Sequence, residues 1–314
     1  MKIFQKIIIV CFASIVWQVS AAELIDKSIP AEGINSVSIE NLRGKVTIIG
    51  WDKKEVSVKG ELDKKSERFI FEKQGTNVII KVIMPHQNNY GWNDKGSDLT
   101  IQIPKDSRMN FSGVSTDVLL HNLISSSEVN TVSGNITARN LKQYIELSTV
   151  SGDIESEKLS GKIRLSSVSG DIDDKSSQGR LIIKLVSGEI ESQSTATEVL
   201  VNNVSGSVKL MLNEVDELEI STVSGYVHSQ LALNNRGVVK LSSVSGDMNI
   251  RFQSTIDANF RLNASVGGLL ENKLTSDKSQ RAKYGPSSKL YFQTGAGAAS
   301  VKASTVSGTI KVYR

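Results

Sequence analysis

The triplet Val-Ser-Gly recurs at Val132, Val150, Val168, Val186 and Val204 at intervals of 18 residues, then at Val223 after 19 and at Val244 after 21. A degenerate copy precedes the run at Val114, Ser115 and Thr116, and another follows near Ser265, Val266 and Gly267. A last intact copy spans Val306 to Gly308. Self-similarity at a short fixed period is the signature of a solenoid, in which each repeat forms one coil that cannot bury its apolar face alone.

Aligned on the glycine, the repeats show which positions point inward. Seven residues before it stand Ile145, Ile163, Leu181, Val199, Leu218 and Val239, and five before it stand Leu147, Leu165, Ile183, Val201, Ile220 and Leu241. This alternation marks a strand with one inward face. The valine of the triplet and the residue two after the glycine (Ile136, Ile154, Ile172, Ile190, Val208, Val227, Met248) are expected to continue the interior. Glycine between them permits a turn that a residue with a Cβ would resist. Four buried aliphatics cannot offset the entropy of ordering a whole coil, so stacking and inter-coil hydrogen bonds are required. About nine coils at ~4.8 Å each would make a core roughly 45 Å long. The apolar positions do not recur every six residues, which argues against a hexapeptide β-helix, and the calcium-binding nonapeptide GGxGxD does not occur. The expected fold is therefore all-β: a single β-solenoid of stacked coils about 18 residues long.

The segments STVSGDI at 148–154, SSVSGDI at 166–172 and STVSGYV at 221–227 resemble a bacterial family of β-strand-repeat domains of unknown function, often labelled candidate adhesins. The resemblance extends to ENLRGKVTIIGWDKKEVSVKG at 40–60 and LTIQIPKD at 99–106, and so covers nearly the whole chain after its leader. It implies a β-solenoid in an envelope or exported protein and brings no catalytic residues with it. The last repeats depart from the pattern, with Gly268 and Thr309 in place of the usual Asp.

Export is also read from the start of the chain. Lys2 and Lys6, an apolar run over residues 7–17 and the small residues Ser20, Ala21 and Ala22 have the order of a secretory signal, with cleavage expected after Ala22. Four regions follow: signal 1–22, an N-terminal cap with irregular first coils 23–110, regular repeats 111–270, and divergent coils with a basic loop 271–314. No later segment approaches twenty apolar residues, so no transmembrane segment is expected in the mature chain. Cys11, the only cysteine, lies within the leader, which excludes disulfides and thiolate metal sites from the mature protein. Of 37 basic residues two leave with the leader, so 35 face 33 acidic ones, and a net charge of +2 gives no argument for nucleic acid. The expected location is the periplasm, with the cell surface or secretion as alternatives.

Candidate sites are few. The triplet serines (Ser133, Ser151, Ser169, Ser187, Ser205, Ser224, Ser245) form a ladder, but a nucleophile needs a base, and His86, His121 and His228 are scattered. Hydroxyl bonding at a turn is the simpler role. The residues one and three after the glycine are Asp153 and Glu155, Asp171 and Asp173, then Glu189 and Glu191, two outward acidic columns to which calcium could bind weakly. Tyr90 and Trp92, in a polar loop, are candidate contacts for a protein or sugar. The basic loop carries Lys273, Lys278, Arg281, Lys283 and Lys289, which could meet anionic headgroups. Arg164 belongs to no repeated pattern. The resulting expectation is a non-enzymatic, exported envelope scaffold or adhesin-like surface without a cofactor, its partner an envelope protein or polysaccharide. The alternative is a polysaccharide lyase or hydrolase on a β-helix.

Overall fold

The computed structural model describes residues 23–85 and 95–314. The expected signal and the candidate contacts Tyr90 and Trp92 lie outside the described residues. Strands make up 72% of the described residues, joined in one sheet system, and these residues contain no helix.

Two-residue parity builds the coil. The strands Lys142–Ser151, Ser160–Ser169 and Gln178–Ser187 lie parallel in a register of 18, with Ile145 beside Ile163 and Leu181, and Leu147 beside Leu165 and Ile183. These form a long wall. The shorter strands Ile154–Glu157, Ile172–Lys175 and Ile190–Ser194 stack in the same register as a second wall, with Ile154, Ile172 and Ile190 in one inward column. The glycine of the triplet turns the chain from long wall to short wall. A second corner returns it through a residue in the left-handed region: Asn122 (φ 60), Asn140 (φ 55), Lys158 (φ 56) and Ser176 (φ 60). Each is followed by a fully buried side chain, Leu123, Leu141, Leu159 or Ser177.

The triplet valine corrects the sequence reading. In all eight intact copies it is 41–48% exposed, and the residue before it is inside: Thr131, Thr149, Ser167, Leu185, Asn203, Thr222, Ser243 or Thr305. The reason is parity. With Leu147 inward, Thr149 must also point inward and Val150 outward, because the chain does not turn until the glycine. In the regular coils the polar residue has a partner: Thr149 Oγ1 donates to the carbonyl of Gly134 (3.2 Å), and Ser167 Oγ to that of Gly152 (3.2 Å). Toward the C-terminal end the buried hydroxyls of Ser243 and Thr305 have none among the described residues.

At both ends the order of coils departs from the order of sequence. Ser36–Trp51 lies between Arg108–His121 on one side and Asn77–Ile83 with Ser97–Pro104 on the other. The antiparallel strands Leu24–Pro30, Glu55–Glu61 and Arg68–Gln74 close that end. At the other end Ala299–Thr305 and Thr309–Tyr313 stack on residues 238–251, and Ala258–Ala264 with Leu269–Asn272 stacks outside them. Ser288–Thr294 then covers Ala258–Ala264 in antiparallel sense, where Phe292 stacks on Phe260 at 4.3 Å and Phe252 meets Phe260 edge-on at 5.9 Å. This order explains why the last triplet is intact while the one before it has degenerated: Gly308 is seated between Gly246 and Gly268.

Candidate functional site

The recurrent residues of the motif all do structural work. A Cβ placed on Gly152, Gly170, Gly188, Gly206, Gly225 or Gly246 would come within 3.0 Å of the carbonyl oxygen of the glycine one coil away. These six positions therefore admit only glycine, most of them also having positive φ, whereas Thr116 fills the place before Gly134. The acidic residue after the glycine accepts a backbone N–H from the next coil. Asp153 Oδ1 accepts from Asp171 N (2.8 Å), Asp171 Oδ1 from Glu189 N (2.8 Å), and Asp247 Oδ1 from Thr309 N (2.7 Å). Asn135 serves equally, accepting from Asp153 N (2.9 Å). The carboxylate satisfies an amide that the turn would leave open.

The second acidic column is also engaged. Glu155, Asp173 and Glu191 are neighbours in register, with Lys175 Nζ 2.9 Å from Asp173 and Lys209 Nζ 2.8 Å from Glu191. The hydrogen bond from Lys209 holds the Glu191 carboxyl below its ordinary value. Among the described residues no three His, Cys, Asp or Glu side chains converge as a metal site would require. The triplet serines lie at the surface of the corner, and burial lowers the His121 imidazole, assisted by Arg139. The basic-loop residues Lys273, Lys278, Arg281, Lys283 and Lys289 are all exposed.

Two buried carboxylates escaped the sequence reading: Asp63, which pairs with Arg43, and Asp174. Asp174, fully buried, lies between Ser156 and Ser192 in the inward column of the short wall. Its Oδ1 accepts from Ser156 Oγ (2.6 Å) and from Ser177 Oγ, and its Oδ2 from Ser192 Oγ (2.9 Å). Burial pushes the carboxyl above its ordinary value, against the pull of the three hydroxyls. Parity from Ile172 would have located it, since Asp174 is the next inward position.

The outer face of the long wall is where neighbouring coils differ most. Six residues before the glycine, successive coils present Glu128, Glu146, Arg164, Ile182, Leu200, Glu219, Lys240 and Lys302. The Ser221–Ser242 hydroxyl contact at 3.1 Å carries that register across the 21-residue step. Among the described residues Arg164 Nε has no hydrogen-bond partner. Beyond the intervening outward row of Ser148, Ser166 and Lys184, the triplet valines run parallel to it as an exposed apolar column.

Stacked two-walled coils with an internal glycine ladder and an amide-capping acid define a β-solenoid whose motif serves the frame, with a variable outer wall. The chain belongs to the Toastrack DUF4097 family, a domain of unknown function, whose model matches residues 34–313. Two solved structures are similar in outline. One is described as a candidate cell adhesion protein from Clostridium sporogenes, 10% identical over 93% of this chain and 99% of that one, with a TM-score of 0.29. The other is described as a candidate lipid binding protein from Parabacteroides distasonis, 12% identical over 92% and 96%, with a TM-score of 0.39. No curated protein matches the sequence. Among the described residues no helix is long and apolar enough to cross a membrane.

Proposed function

We propose that the protein is a non-enzymatic, exported scaffold of the cell envelope that binds a partner through the outer face of its long wall. The observation that carries this reading is the division of labour along the coil. Glycine, acid and the inward residues are consumed by the frame, whereas the outward row changes character from Glu146 to Arg164 to Ile182. Repeat proteins bind in this way, on extended surfaces whose exposed positions vary over a constant core. The leader-like start supports export to the periplasm or surface.

Residues 23–314, immobilised and exposed to envelope extract, should retain a component that a Leu200→Asp variant of equal thermal stability does not. Equal retention by both would remove the long wall as the binding surface. Weak calcium binding along the acidic columns is a secondary part of the proposal, supported by the unpartnered Asp173 Oδ1. Equal melting temperatures with calcium and with chelator at low salt would eliminate it.

A further inference from the structure

The outer row of the long wall reads as its own complement in reverse. Its centre is apolar, Ile182 beside Leu200, with Ile182 only 8% exposed between its neighbours. One coil outward from that centre stand Arg164 on one side and Glu219 on the other. Two coils outward stand Glu146 and Lys240, and three coils outward Glu128 and Lys302. Every pair is opposite in sign. The neighbouring outward row follows the same rule about the same centre: Arg180 is mirrored by Glu198, and Lys162 by Glu217.

We propose that this wall pairs with the same wall of a second copy, the two solenoids lying antiparallel about a twofold axis that runs along the strands between the coils of Ile182 and Leu200. This names the partner of the surface assigned above and rests on that assignment. Rotation about such an axis reverses the order of coils and keeps each row opposite itself. Arg164 then faces the Glu219 of the second copy, Glu146 its Lys240, Glu128 its Lys302, and the valine column meets the valine column. An isologous contact requires this self-complementarity. Arg180 already meets Glu198 at 3.4 Å and Lys240 meets Glu217 at 3.6 Å within one chain, so the reversal that a single chain does not account for is that of the central row, Arg164 against Glu219.

The size is sufficient. The rows from Arg180 to Val186 span roughly 20 Å along the strand and the stack roughly 45 Å, about 900 Å² per copy against ~800 Å² a side in a standard interface. The exposed valine column would supply affinity, and the charges register and orientation.

Sedimentation equilibrium of residues 23–314 at low salt tests the pairing. The wild type should dimerise, and added salt should weaken it. Arg164→Glu and Glu219→Arg should each raise the dissociation constant by about tenfold or more, because each sets two like-charge contacts across the twofold. The double variant R164E/E219R should return it to within about threefold of wild type. Within one chain these residues are three coil steps apart, about 14 Å, so rescue by the swap reports contact between copies. A monomeric wild type, a dimer indifferent to Arg164→Glu, or a double variant no better than the singles would overturn the proposal. A monomer that still retains an envelope component in a Leu200-dependent way would overturn self-pairing alone and leave the binding wall standing.

Discussion

A glycine stacked on the glycine of the adjoining coil has no space for a methyl group. Gly170 has φ +146 and would carry a Cβ against the carbonyl of Gly152, so Gly170→Ala imposes both backbone strain and a contact that backbone alone must relieve. A cost of at least ~1–3 kcal/mol is expected, seen as a fall of several degrees in the melting temperature, whereas Ser169→Ala beside it should leave that temperature nearly unchanged. Asp174 is the opposite kind of residue, one the frame tolerates. Its folded-state carboxyl binds a proton more readily than in the unfolded chain, so it costs little at low pH and its cost grows as pH climbs through the folded value. Asp174→Asn should therefore raise the melting temperature at neutral pH, with the advantage fading toward about pH 4. An advantage independent of pH would mean that the carboxyl binds its proton equally well in the folded and the unfolded chain.

Among the elements, the terminal coils depend on each other against the order of the chain. Ala299–Thr305 is the seat for Ala258–Ala264, which precedes it by some forty residues, and the Asp247 carboxylate bonds Thr309 across a sequence separation of 62. A chain ending at Ala298 should thus lose more than the segment removed. Amides of Phe260 and Leu262, though retained, should exchange hydrogen as in an unfolded chain, while those of Ile163 and Leu165 stay protected. Protection of Phe260 in the truncated chain would show that the outer coil stands without its seat. The antiparallel strands at both ends have a related role. They cover sheet edges that would otherwise offer open hydrogen-bonding groups to other chains.

For the molecule as a whole, the shared interior makes neighbouring coils cooperative. Leu165 is fully buried between Leu147 and Ile183, so a charge placed there meets apolar side chains from three coils. Leu165→Asp should lower the melting temperature sharply and broaden exchange over adjacent coils, because a buried unpaired carboxylate is costly and stacked coils stabilise one another. An unchanged melting curve would argue against a common core. The same length that makes the rod cooperative also gives it a long, uninterrupted wall, the feature on which both functional readings depend.

Much of this architecture is legible in the spacing of Val-Ser-Gly and the alternation before it, since covalent spacing sets coil length and period-two parity sets which side chains turn inward. Ile163, Leu165 and the inward isoleucine after each turn follow from these rules alone, and so does the glycine. The same parity, carried two residues further, would have placed the triplet valine outside and Asp174 inside; the apolar character of valine outweighed it in the reading. Other features arise only on folding. The left-handed corner at Lys158 and Ser176 has no single residue type to announce it, and the amide-capping role of Asp171 exists only when the next coil arrives beside it. Which coil stacks on which at the two ends, and hence which charges stand opposite across the long wall, is decided by hydrogen bonding between segments far apart in the chain, where local spacing carries no information.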